Sequence, residues 1–200
     1  MGTRGIFGLR KNGKDKCSYN HWDSYPSCLG ETMVEYIQTH TLEEMNNLYD
    51  KLIMVDEDFR TSQFTKFQRE KYKNFMKKED FFSHRYGEVC TSEDITMYQF
   101  LHEFQGNLKK YDEFPEIDLM IDSQNFIKNS LFCEWGYIIN LDDNTLEIWK
   151  GFQQKSQKNN RYGCEKWEGY YPCKNIKKIK LEEIKKDGFS LEDKIKKYYD

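Results

Sequence analysis

The chain contains no alanine, only three prolines and three valines, and no apolar run near the roughly 18 residues a membrane-spanning helix needs. A membrane span is therefore excluded. The missing alanine accompanies 25 Lys, 14 Ile and 13 Asn, a bias expected of an AT-rich genome that avoids GC-rich codons. Six cysteines (Cys17, Cys28, Cys90, Cys133, Cys164 and Cys173) include no CxxC pair. Structural zinc sites usually draw their ligands in such close pairs, so the expectation is buried free thiols rather than metal. Gly2, Gly5 and Gly8, spaced by three in a predicted strand, do not match a nucleotide-binding fingerprint, and no cofactor is expected. The opening MGTRGIFGLRKNGKDK has no apolar core of signal-peptide length. Gly2 would suit myristoylation, but Ile6 stands where Ser or Thr is needed. The expected location is intracellular, in the cytoplasm, with reduced thiols.

What is present is aromatic mass. Four Trp, 14 Tyr and 14 Phe make up 16% of 200 residues, and the net charge is only -3. Leu, Ile, Val and Phe amount to about a fifth of the chain, close to the composition of disordered segments. Low net charge and large buried area per aromatic side chain favour folding, as one domain over 1–200.

The order of elements predicts an α+β fold, with a largely antiparallel sheet and a helical middle packed on it. An N-terminal hairpin is expected over 5–23: Ile6 to Lys11, an Asn12-Gly13 turn, then a return strand to Trp22. On that return strand Cys17, Tyr19 and His21 share one face, and Ser18, Asn20 and Trp22 the other. DSYPSCLG (Asp23 to Gly30) is turn chemistry. A helical region over 31–131 begins with Met33, Val34, Tyr36 and Ile37 and continues after a capping box at Thr41-Leu-Glu-Glu44. Phe64 to Lys78 reads as an amphipathic helix, with Phe64, Phe67, Tyr72, Phe75 and Met76 inward and Lys66, Arg69, Lys73 and Lys77 outward. Residues 92–108 and 123–131 read as further helices, with Tyr98 inward. Strands follow over 134–181: Trp135 to Leu141, a turn at Asp142-Asp143-Asn144, Thr145 to Phe152, a polar loop over 155–162, and Tyr170 to Leu181. Ser190 caps a terminal helix over 190–199.

Three blocks together, MGTRG, YNHWDSYPSCLG (Tyr19 to Gly30) and the late pair INLDDNTLEIWKG with GYYPCK, resemble a family of small proteins of fungi and large DNA viruses. Its members open with MGTRG and carry YNHxDSYPxGLG; Cys28 stands where that pattern has Gly. This resemblance implies no particular reaction. The opening hairpin followed by Asn20-x-x-Asp23 is also similar to N-terminal-nucleophile amide hydrolases. That likeness implies an Asp holding a terminal amine, here Asp23, and a nucleophile heading the first strand. Gly2 has no side chain to attack with, so Thr3 could serve only after removal of two residues.

The run from Asn20 to Tyr25 concentrates polar and aromatic groups at a strand end. His21 and Asp23, two apart, would face one side as a base and its orienter, for a nucleophile such as Thr3, Ser24 or Cys28. Arg4 on the neighbouring strand would clamp an anion, with Asn20, Ser24, Tyr25 and Cys28 completing a binding pocket. The same residues also read as a turn whose Asp23 carboxylate binds its own backbone amides, beside a satisfied core histidine. A metal site would need His84 or His102, which no spacing brings to His21 and Asp23. Arg85 and Tyr86 read as loop residues. The cationic stripe on the Phe64–Lys78 helix and the Lys-rich end from Lys174 read as solvated surface. Nucleic acid is therefore not an expected partner. Nothing in the sequence specifies an oligomer. Two functions follow: a hydrolase-like domain acting on a small amide or other C–N bond through His21 and Asp23, or a non-catalytic, virus-encoded binding protein with a small-molecule ligand.

Overall fold

A computed structural model describes residues 2–76 and 94–198. Strand β1 (Gly5–Lys11) and strand β2 (Lys14–Asn20) form the predicted hairpin, from Gly5 opposite Asn20 to Lys11 opposite Lys14. Asn12 and Gly13 both take positive φ, 52° and 72°, which the tight primed turn demands. Their amides donate to the Asp142 carboxylate at 2.7 and 2.9 Å, tying this turn to a second one across the sheet.

Helix α1 (Glu31–Thr39) and helix α2 (Leu42–Lys51) follow, the latter starting at the expected Thr41–Glu44 capping box. After β3 (Ile53–Val55) come the short helices α3 (Lys66–Lys71), α4 (Lys73–Met76), α5 (Met97–Phe100) and α6 (Lys110–Glu113). Next are β4 (Leu119–Ile121), β5 (Trp135–Asn140), β6 (Thr145–Lys150) and β7 (Lys174–Lys180). Helices α7 (Leu181–Ile184) and α8 (Leu191–Ile195) follow, and a 3₁₀ turn (Lys196–Tyr198) ends the described chain. The main sheet has the order β2-β1-β5-β6-β7 and is antiparallel throughout except at β1·β5. That parallel pair is where the N-terminal hairpin joins the C-terminal strands, and the helical middle is its long crossover.

Both faces of the sheet are covered. Phe7, Leu9, Trp135, Tyr137, Ile139, Leu146 and Ile148 pack on Met33, Tyr36 and Ile37 of α1 and Met45 of α2. Ile6, Cys17, Ile138 and Trp149 face the other way, onto Ile127, Cys133 and Cys173. Burial on both faces explains why WGYIIN has no polar alternation.

The second face also holds an ion cluster. Glu147 on β6 is fully buried. It accepts from Arg161 at 2.5 Å, Trp149 Nε1 at 3.1 Å and Asn140 Nδ2 at 2.9 Å, and Lys178 Nζ lies 3.3 Å away. Arg161 also reaches both Asp15 oxygens at 3.2 Å and stacks over Trp149 and Tyr162. Arg10 and Tyr162 complete the shell of Asp15 at 3.1 and 2.9 Å. One guanidinium thus staples the 152–173 segment onto two strands, where the sequence reading saw only a polar loop.

Several expectations need correction. The return strand ends at Asn20, not Trp22. The Phe64–Lys78 helix is broken at Tyr72, whose φ and ψ of -93° and 5° leave the α region, and Phe67 is 75% exposed rather than inward. Residues 94–108 hold only α5 and a 3₁₀ turn, with Tyr98 half-buried. Cys28 and Cys164 are exposed, while Cys17, Cys133 and Cys173 are buried free thiols. The last strand begins at Lys174. β3 and β4 were not foreseen as strands; they pair in parallel as a separate small sheet. Lys77, Lys78, His84, Arg85, Tyr86, Cys90 and positions 92, 93 and 199 lie outside the described residues.

Removing one member of a buried ion cluster strands the rest, so Arg161→Ala should cost about 3–5 kcal/mol in denaturant unfolding near neutral pH. Arg161→Lys should recover only part, because an ammonium lacks the planar donor fork that meets both Asp15 oxygens and Glu147 at once. A loss below about 1 kcal/mol, the range of a surface pair, would contradict this role. Burial raises the Glu147 carboxyl pKa, but Arg161, Asn140 and Lys178 outweigh it and hold the net value below the ordinary 4.5. The stabilisation is complete above about pH 4.5 and is lost as pH falls through the lowered value. Arg161→Ala should flatten that acid limb.

Candidate functional site

Past Asn20 the chain turns away from β1 through a tightly bonded corner. Buried Asn20 donates from Nδ2 to the Trp22 carbonyl and, at 2.8 Å, to Ser24 Oγ. The fully buried Ser24 donates its amide to the Thr3 carbonyl at 3.1 Å, and its carbonyl accepts from Tyr137 Oη at 3.2 Å. Leu29 and Gly30 donate to the carbonyls of Asp23 and Tyr25, closing one π-helical turn (Pro26–Gly30) that leads into α1. Pro26 suits the first position of that turn, where no amide donor is needed. Gly106 lets the Asn20 amide in: a Cβ there would lie 2.5 Å from Asn20 Oδ1.

The expected His21–Asp23 pair is not formed. Asp23 takes φ of 52°, which breaks the strand alternation that would have put both side chains on one face. Its exposed carboxylate has no hydrogen-bond or ion-pair partner among the described residues, so it caps no turn amides either. His21 is instead held by Tyr19, with Oη 2.9 Å from Nδ1. Tyr19 and His21 do share a face, as the alternation predicted. Burial pushes the Tyr19 phenol pKa up, so the phenol stays protonated and can donate to an imidazole that carries its proton on Nε2. The Trp22 ring meets His21 edge-on at 4.3 Å and is 60% exposed.

The other candidates scatter. Thr3 is buried, and its Oγ1 has no partner among the described residues. Arg4 lies over the Phe132 ring at 5.2 Å rather than at the corner. Ser24 is sealed in the corner as a bonding element. Tyr25, just before the π turn, and Cys28, within it, are exposed, with Cys28 Sγ 4.0 Å from Ser27 Oγ. None of these five lines the open hollows beside the corner.

Two hollows flank this corner. The first, about 530 Å³, is lined by the aromatics Tyr19, Tyr98, Phe126 and Trp167 and by the acids Asp56, Glu57, Asp58 and Asp122, among others. The second, about 410 Å³, takes in Asn20, His21, Trp22, His102, Glu103, Gln105 and Lys110. Two tyrosine–histidine pairs link them: Tyr19 with His21, and Tyr98 edge-on to His102 at 6.2 Å between centroids. In each pair the tyrosine lines the first hollow and the histidine the second.

Sequence reasoning missed the first hollow entirely. Parallel pairing of β3 and β4 brings the carboxyl ends of both strands to one place, and an acid follows each: Asp56 after Val55, Asp122 after Ile121. The signal was present in the matching tetrapeptides IMVD and LMID. Trp167 is presented by a tight turn in which Glu168 and Gly169 both have positive φ, bridged by Trp167 and Tyr170. Among the described residues, no three His, Cys, Asp or Glu side chains converge as metal ligands would. No helix there is long and apolar enough to cross a membrane.

No family model, curated protein or solved structure matches the chain, and the motif resemblances rest on the sequence alone.

The corner makes two opposite predictions for stability. Asn20→Ala leaves the buried Ser24 hydroxyl without its donor and should cost about 1–3 kcal/mol. Asp23→Gly relieves a left-handed residue whose side chain makes no bond, and should leave stability within about 1 kcal/mol or raise it. Denaturant unfolding of both variants checks this; a larger loss for Asp23→Gly than for Asn20→Ala would contradict the assigned roles.

Proposed function

We propose that this protein binds a small ligand in the hollows beside Tyr19 and His21, and does not hydrolyse amides through His21 and Asp23. The observation that carries this reading is the orientation of His21 by Tyr19 while the Asp23 carboxylate stands free in solvent. A base-and-orienter mechanism needs the carboxylate on the imidazole and a nucleophile within hydrogen-bond reach. The buried Thr3 hydroxyl offers no open nucleophile. Concave, aromatic-lined space with a few polar groups is the ordinary form of a small-molecule site, and both hollows are of suitable volume. The corner of Asn20, Ser24 and Tyr137 serves this function as a rigid mount.

Two measurements made side by side test the proposal. Trp22 and Trp167 line different hollows, so a ligand should change tryptophan fluorescence saturably, and Trp22→Phe or Trp167→Phe should remove the response of its own hollow. A panel of small amides should be hydrolysed no faster with the protein than without it. Turnover that falls at least about a hundredfold in both His21→Ala and Asp23→Ala would overturn the proposal in favour of hydrolysis.

A further inference from the structure

Three buried thiols have no part in the corner or the hollows. Cys17, Cys133 and Cys173 are fully excluded from solvent and share the small core on the second face of the sheet with Ile6, Ile127, Ile138 and Trp149. Two of them are brought together from the starts of different strands. Cys133 lies just before β5 and Cys173 just before β7, and β6 runs between these strands. Gly151, the residue after β6, lets them meet: a Cβ there would collide with the Cys133 carbonyl oxygen. Over this bare position the Cys173 amide donates to the Ile127 carbonyl at 3.0 Å, and its thiol to the Cys133 carbonyl at 3.2 Å. The Cys133 thiol donates to the Trp135 carbonyl at 3.6 Å and lies within hydrogen-bond reach of the Cys173 thiol. Cys17 packs elsewhere in the cluster, on β2 against Gly8, where a Cβ would lie 2.9 Å from its sulfur.

A second observation concerns what would open. Cys173 ends the 152–173 segment, in which only Pro172 and Cys173 are buried. The segment's pairing is limited to two isolated bridges, Gln153 with Tyr171 and Trp167 with Tyr170. A stretch with so little buried apolar surface lifts more readily than the sheet beneath it. At rest, burial holds the Cys133 thiol well above its ordinary pKa, so it is inert until the segment lifts. Once joined, the two sulfurs would return to a dry core that slows attack by reductants.

We propose that Cys133 and Cys173 form a reversible disulfide when the protein meets hydrogen peroxide, and that this bridge fastens the 152–173 segment to the start of β5. With the segment lifted, Cys173 loses its proton to solvent and its thiolate attacks one peroxide oxygen. The O–O bond breaks, the sulfur becomes a sulfenic acid, and the other oxygen takes up a proton and leaves as water. The Cys133 thiol then attacks that sulfur. The S–O bond breaks, and the hydroxyl leaves with the thiol proton as a second water. Two thiols thus lose two hydrogens and two electrons, and one peroxide is reduced to two waters. Exchange with a small dithiol restores the reduced pair. The inference stands apart from the ligand reading of the hollows.

Peptide mapping of the full chain tests the proposal. Alkylation of the folded protein first caps the exposed Cys28 and Cys164, hydrogen peroxide is added, and the digest is read without reduction. The expected product has lost about 2 Da, holds Cys133 and Cys173 in one cross-linked pair of peptides, and keeps Cys17 free to alkylate after unfolding. The bridge should raise the thermal midpoint and slow tryptic cleavage after Lys158 and Arg161 at least about fivefold, and dithiothreitol should reverse both changes. Cys173→Ala should abolish the mass loss and both gains, and Cys17→Ala should keep them. The mapping itself uses the wild-type chain, so it decides the matter even where a variant folds poorly. Three results would overturn the proposal: a bridge from either residue to any other cysteine, sulfinic or sulfonic acid at Cys133 or Cys173 in place of a bridge, or both thiols still reduced after a peroxide exposure that oxidises Cys28 in an uncapped sample.

Discussion

The bond network around the Asn20 amide decides what this molecule presents to solvent. A single buried side chain takes the chain out of β2, satisfies the Trp22 carbonyl and Ser24 hydroxyl, and lets Ser24 dock on Thr3 and Tyr137. Asn20, Ser24, Thr3 and Tyr137 are buried, so their polar groups would be costly if left unpaired. The geometry that satisfies them puts Asp23 in a left-handed conformation and turns its carboxylate outward. Tyr19 and His21, before the break, keep the side-to-side relation of strand residues and open onto the hollows. The residue types of a His/Asp pair are present, and the turn that joins them keeps them apart.

The hollow on the Tyr19 side depends on two constraints far from it in sequence. Parallel pairing of Ile53–Val55 with Leu119–Ile121 aligns two acid-bearing strand ends, and the Ser123 amide bonds the Cys17 carbonyl at 2.9 Å, fixing that edge to β2. The wall opposite comes from Trp167, in the segment that Arg161 staples to Glu147 and Asp15. The buried ions are therefore more than a stability feature. They position a loop that would otherwise have few apolar contacts, six residues from the exposed indole at the rim.

How far the sequence could be read follows from the range of the interactions involved. The Asn12-Gly13 hairpin, the Thr41–Glu44 capping box, the strands β5 and β6 and the Ser190 cap were legible, because each rests on contacts within a few residues. The parallel β1·β5 and β3·β4 pairings were not, since their partners lie more than 60 residues apart and three-residue strands carry no period. Arg161 looked like one more polar loop residue, because nothing local marks a guanidinium as buried. For the site, alternation placed Tyr19 and His21 correctly and then failed at Asp23, where a positive φ replaces extended backbone. The acids of the hollow sat in plain view as IMVDED and LMIDS, and only the fold makes neighbours of them.

The most direct test asks which side chain holds the His21 ring. Imidazole ¹⁵N shifts of His21 can be recorded in the wild type, Tyr19→Phe and Asp23→Asn. With Tyr19 donating to Nδ1, the ring proton sits on Nε2, Asp23→Asn leaves the spectrum unchanged, and Tyr19→Phe redistributes the tautomers. A tautomer that shifts in Asp23→Asn and is indifferent to Tyr19→Phe would contradict this arrangement and restore the histidine–carboxylate pair.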